Sequence, residues 1–439
     1  MHAKSTKSDN IGNKYEYFKL DHGDIRLLHL LPNEEKRAPI RCQLFHYPLR
    51  KTEERACLYE ALSYTWGGEH KPDSISIGER CLPVTKNLHA ALICLRDRFI
   101  GRVIWVDAIC IDQEDYDERG QQVRFMAEIY CKASRVLVWL GEAEAHDHQA
   151  LKAIHSAAAD EPTGFSNEGT IHIAILELLG RPWFRRIWVL QEVAAARQVR
   201  IVCGSTDIDG YAFCLGLLAW ERSYPGVQDR IRPVAYLIMR SIFRPEYTAD
   251  PSGVVSLGIC PLGELMDMYL AHEATDPRDK VFALLGMGSD DPGAVDAAGL
   301  SPNYHIPFGS LLERLVRFLL GGQVSVNTGP DPKMAVAVIE SKGCVLGKVS
   351  SVDAENQQVD IDLKDVSGYW RPPKKWTLQM SPKSVEVGDL VCLLHGASKP
   401  TIIRPHTSHF SVIRISVSQP EQTVSYFPYN FRLVWDWES

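Results

Sequence analysis

Four short runs constrain what the first half of this chain can fold into. EALSYTWGG (60–68), RVIWVDAICI (102–111), RVLVWLG (135–141) and VRIVCG (199–204) are rich in apolar, β-branched and aromatic residues. Segments with helical spacing lie between them. Leu88, Ala91, Leu92 and Leu95 recur on one face of 82–98, with Thr85 or Asn87 available as a cap. Val123, Met126, Ile129 and Ala133 do the same after the second run. Strands that are apolar throughout, alternating with amphipathic helices, suit a parallel sheet covered on both faces. The pattern predicts a three-layer α/β domain over residues 55–210 with a mainly parallel sheet. Its core strands should lie near 61–66, 103–109, 135–140 and 199–203.

The flanks read differently. Residues 1–14 are polar and predict a disordered tail. Within 15–54, DIRLLHLLP and IRCQLFHYPL are split by the turn NEEKRAP. They read as short strands, or as a strand and an extended arm. Beyond 210 the alternation is lost. Residues 211–325 read as mainly helical, with the amphipathic runs CPLGELMDMYLAHEA, TDPRDKVFALLGM and PFGSLLERLVRFLL. From 326 to 439, turn-bounded runs such as GCVLGKVSSV and VGDLVCLLHG predict a small β-rich C-terminal unit.

Composition narrows the function. The chain has 439 residues, 45% of them hydrophobic, enough to bury a core. A net charge of −7 gives no general attraction to nucleic acid. The start of the chain has no apolar signal core, and no eighteen-residue window is apolar enough to span a membrane. A cytoplasmic protein is expected. Eleven cysteines occur with no CxxC pair, which speaks against a zinc ribbon and for reduced thiols. Cys94, Cys110, Cys203 and Cys392 sit in apolar runs and read as core residues. No metal site is expected. There is no HExxH motif, no nucleotide fingerprint, and Ser63 lies in no GxSxG context. His272 and His305 read as ordinary surface or core histidines.

In open α/β sheets ligands bind outside the carboxyl ends of the strands. TWGG follows the first strand there, Asp107 and Asp112 follow the second, and WFRRIWVLQEV (183–193) follows the third. Pro182 suits the first position of a helix through this last stretch. In that helix Trp188 and Glu192 share a face. A carboxylate beside an indole in an apolar helix resists ionisation, a useful property in a general base or electrostatic stabiliser. The alternative is an ion pair with Arg185 or Arg186. Asp107 interrupts an apolar strand, so it should be buried and hydrogen-bonded, orienting the loop 110–118 or a ligand hydroxyl. The acids from Glu114 to Glu118 read as a solvated loop ahead of a helix. Gly67 and Gly68 permit positive φ and close backbone approach.

YEALSYTWGG (59–68), the run 102–141 and RPWFRRIWVLQEV (181–193) together resemble the HET domain of fungal heterokaryon incompatibility proteins. Residues 24–32, 274–287 and 387–405 resemble the segments that flank it in full-length members. The resemblance implies self/non-self recognition when fungal cells fuse, with growth arrest or programmed cell death as output and an incompatibility partner protein as trigger. It also implies a distant kinship to TIR domains, whose fold is flavodoxin-like. Many TIR domains cleave NAD at the nicotinamide–ribose bond, using a Glu in a W-x-x-x-E helix. Trp188 to Glu192 has that spacing. Carried over, Glu192 is the catalytic residue, and Ser63, Tyr64, Trp66, Gly67, Asp107, Asp112 and Trp188 border the substrate. NAD is then a substrate and no cofactor is needed. The competing expectation is a non-enzymatic module that self-associates or binds a partner, with Glu192 structural. A surface patch of aromatics such as Tyr116 and Trp139 would favour it.

Overall fold

The computed structural model describes residues 14–50, 58–160, 168–221, 228–241, 248–249, 255–329, 336–353, 358–363, 374–377, 385–417, 424 and 426–436. The tail expected to be disordered lies outside them, apart from Lys14. The chain divides into two compact units, one of residues 1–122, 128–185 and 192–243, the other of 123–127, 186–191 and 244–439.

The first unit is built on a nine-stranded sheet. Its strands are β1 (Asp24–Leu30), β2 (Arg41–Pro48), β3 (Glu60–Tyr64), β4 (Asp73–Ile77), β5 (Arg80–Val84), β6 (Arg102–Trp105), β7 (Val136–Trp139), β8 (Val199–Cys203) and β9 (Thr206–Asp209). The order is β5-β4-β2-β1-β6-β3-β7-β8-β9. The four apolar runs form the parallel core β6-β3-β7-β8.

The sheet as a whole is mixed, which corrects the expectation of a mainly parallel one. β1 pairs antiparallel with both β2 and β6, β4 with β5, and β8 with β9. For β4–β5 and β8–β9 the reason is the length of the connections. Gly78-Glu79 joins β4 to β5 and Gly204-Ser205 joins β8 to β9, each glycine at positive φ. Two-residue turns of this kind allow only antiparallel neighbours, whereas a parallel pair needs a long crossover.

Helices α1 (Lys86–Leu95), α2 (Asp107–Cys110), α3 (Tyr116–Lys132), α4 (Asp147–Ala158), α5 (Glu168–Leu179), α6 (Trp188–Ala195), α7 (Gly210–Glu221) and α8 (Gln228–Ser241) follow in chain order. Register fixes which face each side chain meets. Ala61 lies beside Trp105, and Tyr64 beside Trp139. Neighbours in a parallel pair point the same way, and residues along a strand alternate. Trp105 packs edge-on against Tyr130 of α3, ring centroids 5.4 Å apart. Ala61 and Ser63 therefore face α3. Trp139 Nε1 donates to Asn87 Oδ1 of α1 at 2.9 Å. Tyr64 and Trp139 therefore face α1, on the other side.

Two local expectations are corrected. β6 stops at Trp105 instead of continuing to 109. Asp107 takes over the backbone there: its carboxylate accepts from Ala108 N at 2.7 Å and its carbonyl from Ile111 N at 3.2 Å. Local bonds of this sort compete with the sheet ladder. Pro182 does not open the helix that carries Glu192. It opens a 3₁₀ turn, Pro182–Arg185, and α6 starts afresh at Trp188. The break coincides with Ile187, whose N–H donates to Glu273 O at 2.9 Å.

The second unit holds α9 (Leu262–Tyr269), α10 (Asp279–Leu285), α11 (Pro292–Ala297), α12 (Phe308–Leu320) and an eight-stranded sheet. The long strand Val336–Asp353 pairs with Gln358–Leu363, Leu390–Leu394 and Tyr429–Asp436. Asp267 of α9 joins helices to sheet by accepting from Ile415 N at 2.8 Å and Ser416 N at 3.0 Å. Among the described residues no helix is long and apolar enough to cross a membrane.

Candidate functional site

Ser63 points toward the side of the sheet covered by α3, and α6 reaches it there. Its hydroxyl donates to Glu192 and accepts from Trp183 Nε1 at 2.8 Å. Exposure is 0% for Ser63 and 1% for both Trp183 and Glu192. The sequence makes this possible by placing a short apolar helix after an aromatic turn. Trp183 and Phe184 pack edge-on with centroids 4.9 Å apart, and Val189, Leu190 and Val193 of the same helix as the acid are buried as well. A buried carboxylate needs hydrogen-bond donors, and a hydrogen bond to a charged acceptor is stronger than a neutral one. The trio clamps α6 to β3. In this arrangement Glu192 presents no surface to a substrate.

A second polar group sits at the carboxyl ends of the parallel strands. Trp66 Nε1 donates to Asp107 Oδ2 at 2.8 Å. Asn87 donates to Thr65 O at 2.6 Å while accepting from Trp139. Gly67 has φ +78°, and a Cβ there would lie 3.6 Å from Asn87 Cβ. Trp66, Asp107 and Asn87 are all half-buried. Arg181 lies at the end of β7, donating to Leu140 O at 2.7 Å and pairing with Asp147.

The eight expected residues do not form one site. Ser63 joins Glu192, and Trp66 joins Asp107, but Ser63 and Tyr64 point to opposite faces. Tyr64 is buried. Trp188 is half-buried at the first position of α6, one turn from the fully buried acid. Asp112 is occupied with its own loop, accepting from Glu114 N at 3.1 Å. Asp107 is hydrogen-bonded but half-buried rather than largely buried, since it sits past the end of β6, and its carbonyl also accepts from Gln113 Nε2 at 3.0 Å. The acidic loop is partly as expected: Asp115 caps α3, accepting from Asp117 N and Glu118 N at 3.0 Å. Glu118, however, is not solvated. It pairs with the buried Arg26, whose Nη2 lies 2.9 Å away. Trp139 is 2% exposed and Tyr116 47%, so the two share no surface patch.

Trp183 and Arg181 belong to these groups without being singled out in the sequence, and Asn87 reads there only as a possible helix cap. Trp183 hides in an apolar run. Asn87 competes with Thr85 for the cap role, and Thr85 takes it, accepting from Leu88 N at 3.4 Å. An asparagine just inside a helix that it does not cap is the available signal. Buried thiols offer no nucleophile: burial pushes Cys110 and Cys203 up to about 12.

The family model described as heterokaryon incompatibility protein (HET) matches residues 59–192, from the start of β3 to the acid itself. The chain is 25% identical over 382 residues to heterokaryon incompatibility protein 6, OR allele, of Neurospora crassa. The match covers 69% of this chain and 53% of that protein, so the chain spans about half the length of the curated relative. No solved structure matches it. Residues 59–192 thus match the heterokaryon incompatibility (HET) family, and the similarity to a heterokaryon incompatibility protein extends beyond them.

Proposed function

We propose that the chain acts in fungal heterokaryon incompatibility, with its HET domain working as a signalling module that binds an incompatibility partner or a second copy of itself. Growth arrest or cell death would be the output. The name of the Neurospora relative supports the biological role. The burial of Glu192 against Ser63 carries the mechanistic half, because a carboxylate at 1% exposure is placed to hold α6 against β3 rather than to meet a substrate.

A second reading is TIR-like hydrolysis of NAD at the glycosidic bond. The Trp66–Asp107 pair favours it, since that pair and Gly67 lie where open α/β sheets take ligands. Glu192 would then have to leave Ser63 on clustering and steady the oxocarbenium-like ribosyl ring.

Glu192→Gln separates the two readings. The amide keeps the size and accepts from Ser63 but carries no charge. Wild type and variant are compared for the incompatibility output in fusing cells, and for NAD consumption by purified, artificially clustered protein. The module reading expects the output retained in Glu192→Gln and no NAD consumed by either protein. Turnover by wild type that Glu192→Gln abolishes would establish the hydrolase instead.

A further inference from the structure

Two apolar side chains stand in water at the end of the parallel core opposite the Trp66–Asp107 pair. Phe99 is 71% exposed and Ile100 70%. Both lie in the loop 96–101, which leaves α1 and enters β6. Apolar side chains exposed singly are ordinary, but two large ones side by side make a patch. The loop that carries them is built firmly. Asp97 Oδ1 accepts from Phe99 N at 2.7 Å and from Ile100 N at 2.9 Å, which turns both side chains outward. Arg96 donates to the carbonyls of Glu35, Lys36, Ala38 and Pro39, and Asn33 N donates to Asp97 O at 3.1 Å. Gly101 lets the loop press on β1, since a Cβ there would come within 2.2 Å of His29 Nε2. The turn after β1 and the loop before β6 therefore form one rigid tip.

The charges of the tip select what it can meet. Lys36, Arg37 and Arg98 are exposed, and the Arg98 guanidinium lies 5.9 Å from the centre of the Phe99 ring. With Arg96 these cations outnumber the acids of the same two segments, Glu34, Glu35 and Asp97, and Asp97 is engaged by its two N–H donors. The tip is thus positive on a chain whose net charge is −7. Size narrows the choice further. Phe99 and Ile100 offer on the order of 300 Å², against about 800 Å² on each side of a stable protein interface. A narrow convex tip is too small to hold a second copy, whereas a bilayer closes around a wedge of any width.

We propose that this tip docks the protein onto an anionic lipid surface, with Phe99 and Ile100 entering the boundary between headgroups and acyl chains and Lys36, Arg37 and Arg98 meeting lipid phosphates. Neither signal suffices alone, because a small apolar anchor binds only marginally and needs a basic patch beside it. Docked this way, the carboxyl ends of the strands, with Trp66 and Asp107, turn away from the lipid. The inference holds whether the domain is a module or a hydrolase.

The test is co-sedimentation of the full chain with vesicles of phosphatidylcholine alone or with about 30% phosphatidylserine, at about 0.1 M salt. The expected result is binding to the mixed vesicles and at least about tenfold weaker binding to the neutral ones. Replacing Lys36, Arg37 and Arg98 by Gln should weaken binding to the mixed vesicles by about fivefold for each cation lost. Phe99→Asp with Ile100→Asp should remove it while leaving the urea midpoint unchanged, since both side chains are exposed. No binding to the mixed vesicles, equal binding to both kinds, or binding that survives the two Asp substitutions would each overturn the proposal. So would a dimer that those substitutions dissolve in the absence of lipid, because the tip would then be a protein interface. Should the Asp variant fail to fold, Phe99→Trp decides: its added fluorescence should be quenched by lipids brominated on the acyl chains, and quenching no greater than in wild type overturns the proposal.

Discussion

Ser63 and Glu192 stand 129 positions apart in the chain and share one hydrogen bond. The serine belongs to the first strand of the matched family segment, and the glutamate is its last residue. Trp183 donates to the same hydroxyl, so one small side chain satisfies two buried polar groups. Ser63→Ala removes a hydrogen bond from each. Leaving a buried donor such as Trp183 Nε1 unsatisfied costs about 1–3 kcal/mol, so the loss in unfolding free energy should be about 2 kcal/mol. Urea denaturation read by tryptophan fluorescence measures it, and a loss near zero would show that the clamp contributes nothing to stability.

Arg26 should be equally sensitive. It is 1% exposed, pairs with Glu118, and donates to Phe18 O at 2.6 Å and Cys110 O at 3.1 Å. Glu118→Ala strands a guanidinium inside the fold. Removing one partner of a buried ion pair destabilises by about 3–5 kcal/mol. The denaturation midpoint of Glu118→Ala should fall well below that of Asp117→Ala, whose side chain lies on the exposed side of the same turn.

Stability should also decline in acid because of His272. Burial lowers its pKa to about 4, and Lys280 pushes the same way, while the contact with the Tyr269 carbonyl opposes them. Between pH 6.5 and about 4 the unfolded chain binds a proton that the folded chain refuses. This contribution to stability is therefore intact above pH 6.5 and falls as the pH drops through that window, by at most about 3 kcal/mol. The fall between pH 7 and 4 should be smaller in His272→Phe when both proteins are unfolded with urea at each pH.

Alkylation offers a further check. Cys110 and Cys203, with thiols raised to about 12 by burial, should resist iodoacetamide at pH 8 in the folded protein and react once it is unfolded. Rapid native-state labelling of either, read by peptide mass, would contradict the packing described for β6 to β8.

The parallel core was legible because apolar, β-branched runs have few other uses. β3, β7 and β8 fall within two residues of their expected ends. β1 and β2 were legible as strands, but not their partners. Which strands they pair with depends on contacts far away in the chain, such as that of β1 with β6. The strand expected to run to 109 ended early because one aspartate bonds its own neighbours. Of the candidate site, the W-x-x-x-E spacing led to a buried acid, yet its partner Ser63 came with Tyr64 attached, and strand alternation sends those two to opposite faces. Trp183 was hidden by its own hydrophobicity, since its one polar atom leaves no mark on periodicity.

The position of β1 between β2 and β6 bears on what is inherited as a unit. The portion by which the family is recognised begins at residue 59, after β1 and β2, and ends at 192, before β8 and β9. Excised at those points, β6 and β7 would each present a bare row of N–H and C=O groups, an invitation to pair with other chains. The hairpin β4–β5 would lose β2, its only neighbour in the sheet order. Kinship is written in a shorter stretch than the sheet that pairs its strands, and the strands on either side, though outside the signature, supply the partners that β4, β6 and β7 would otherwise lack.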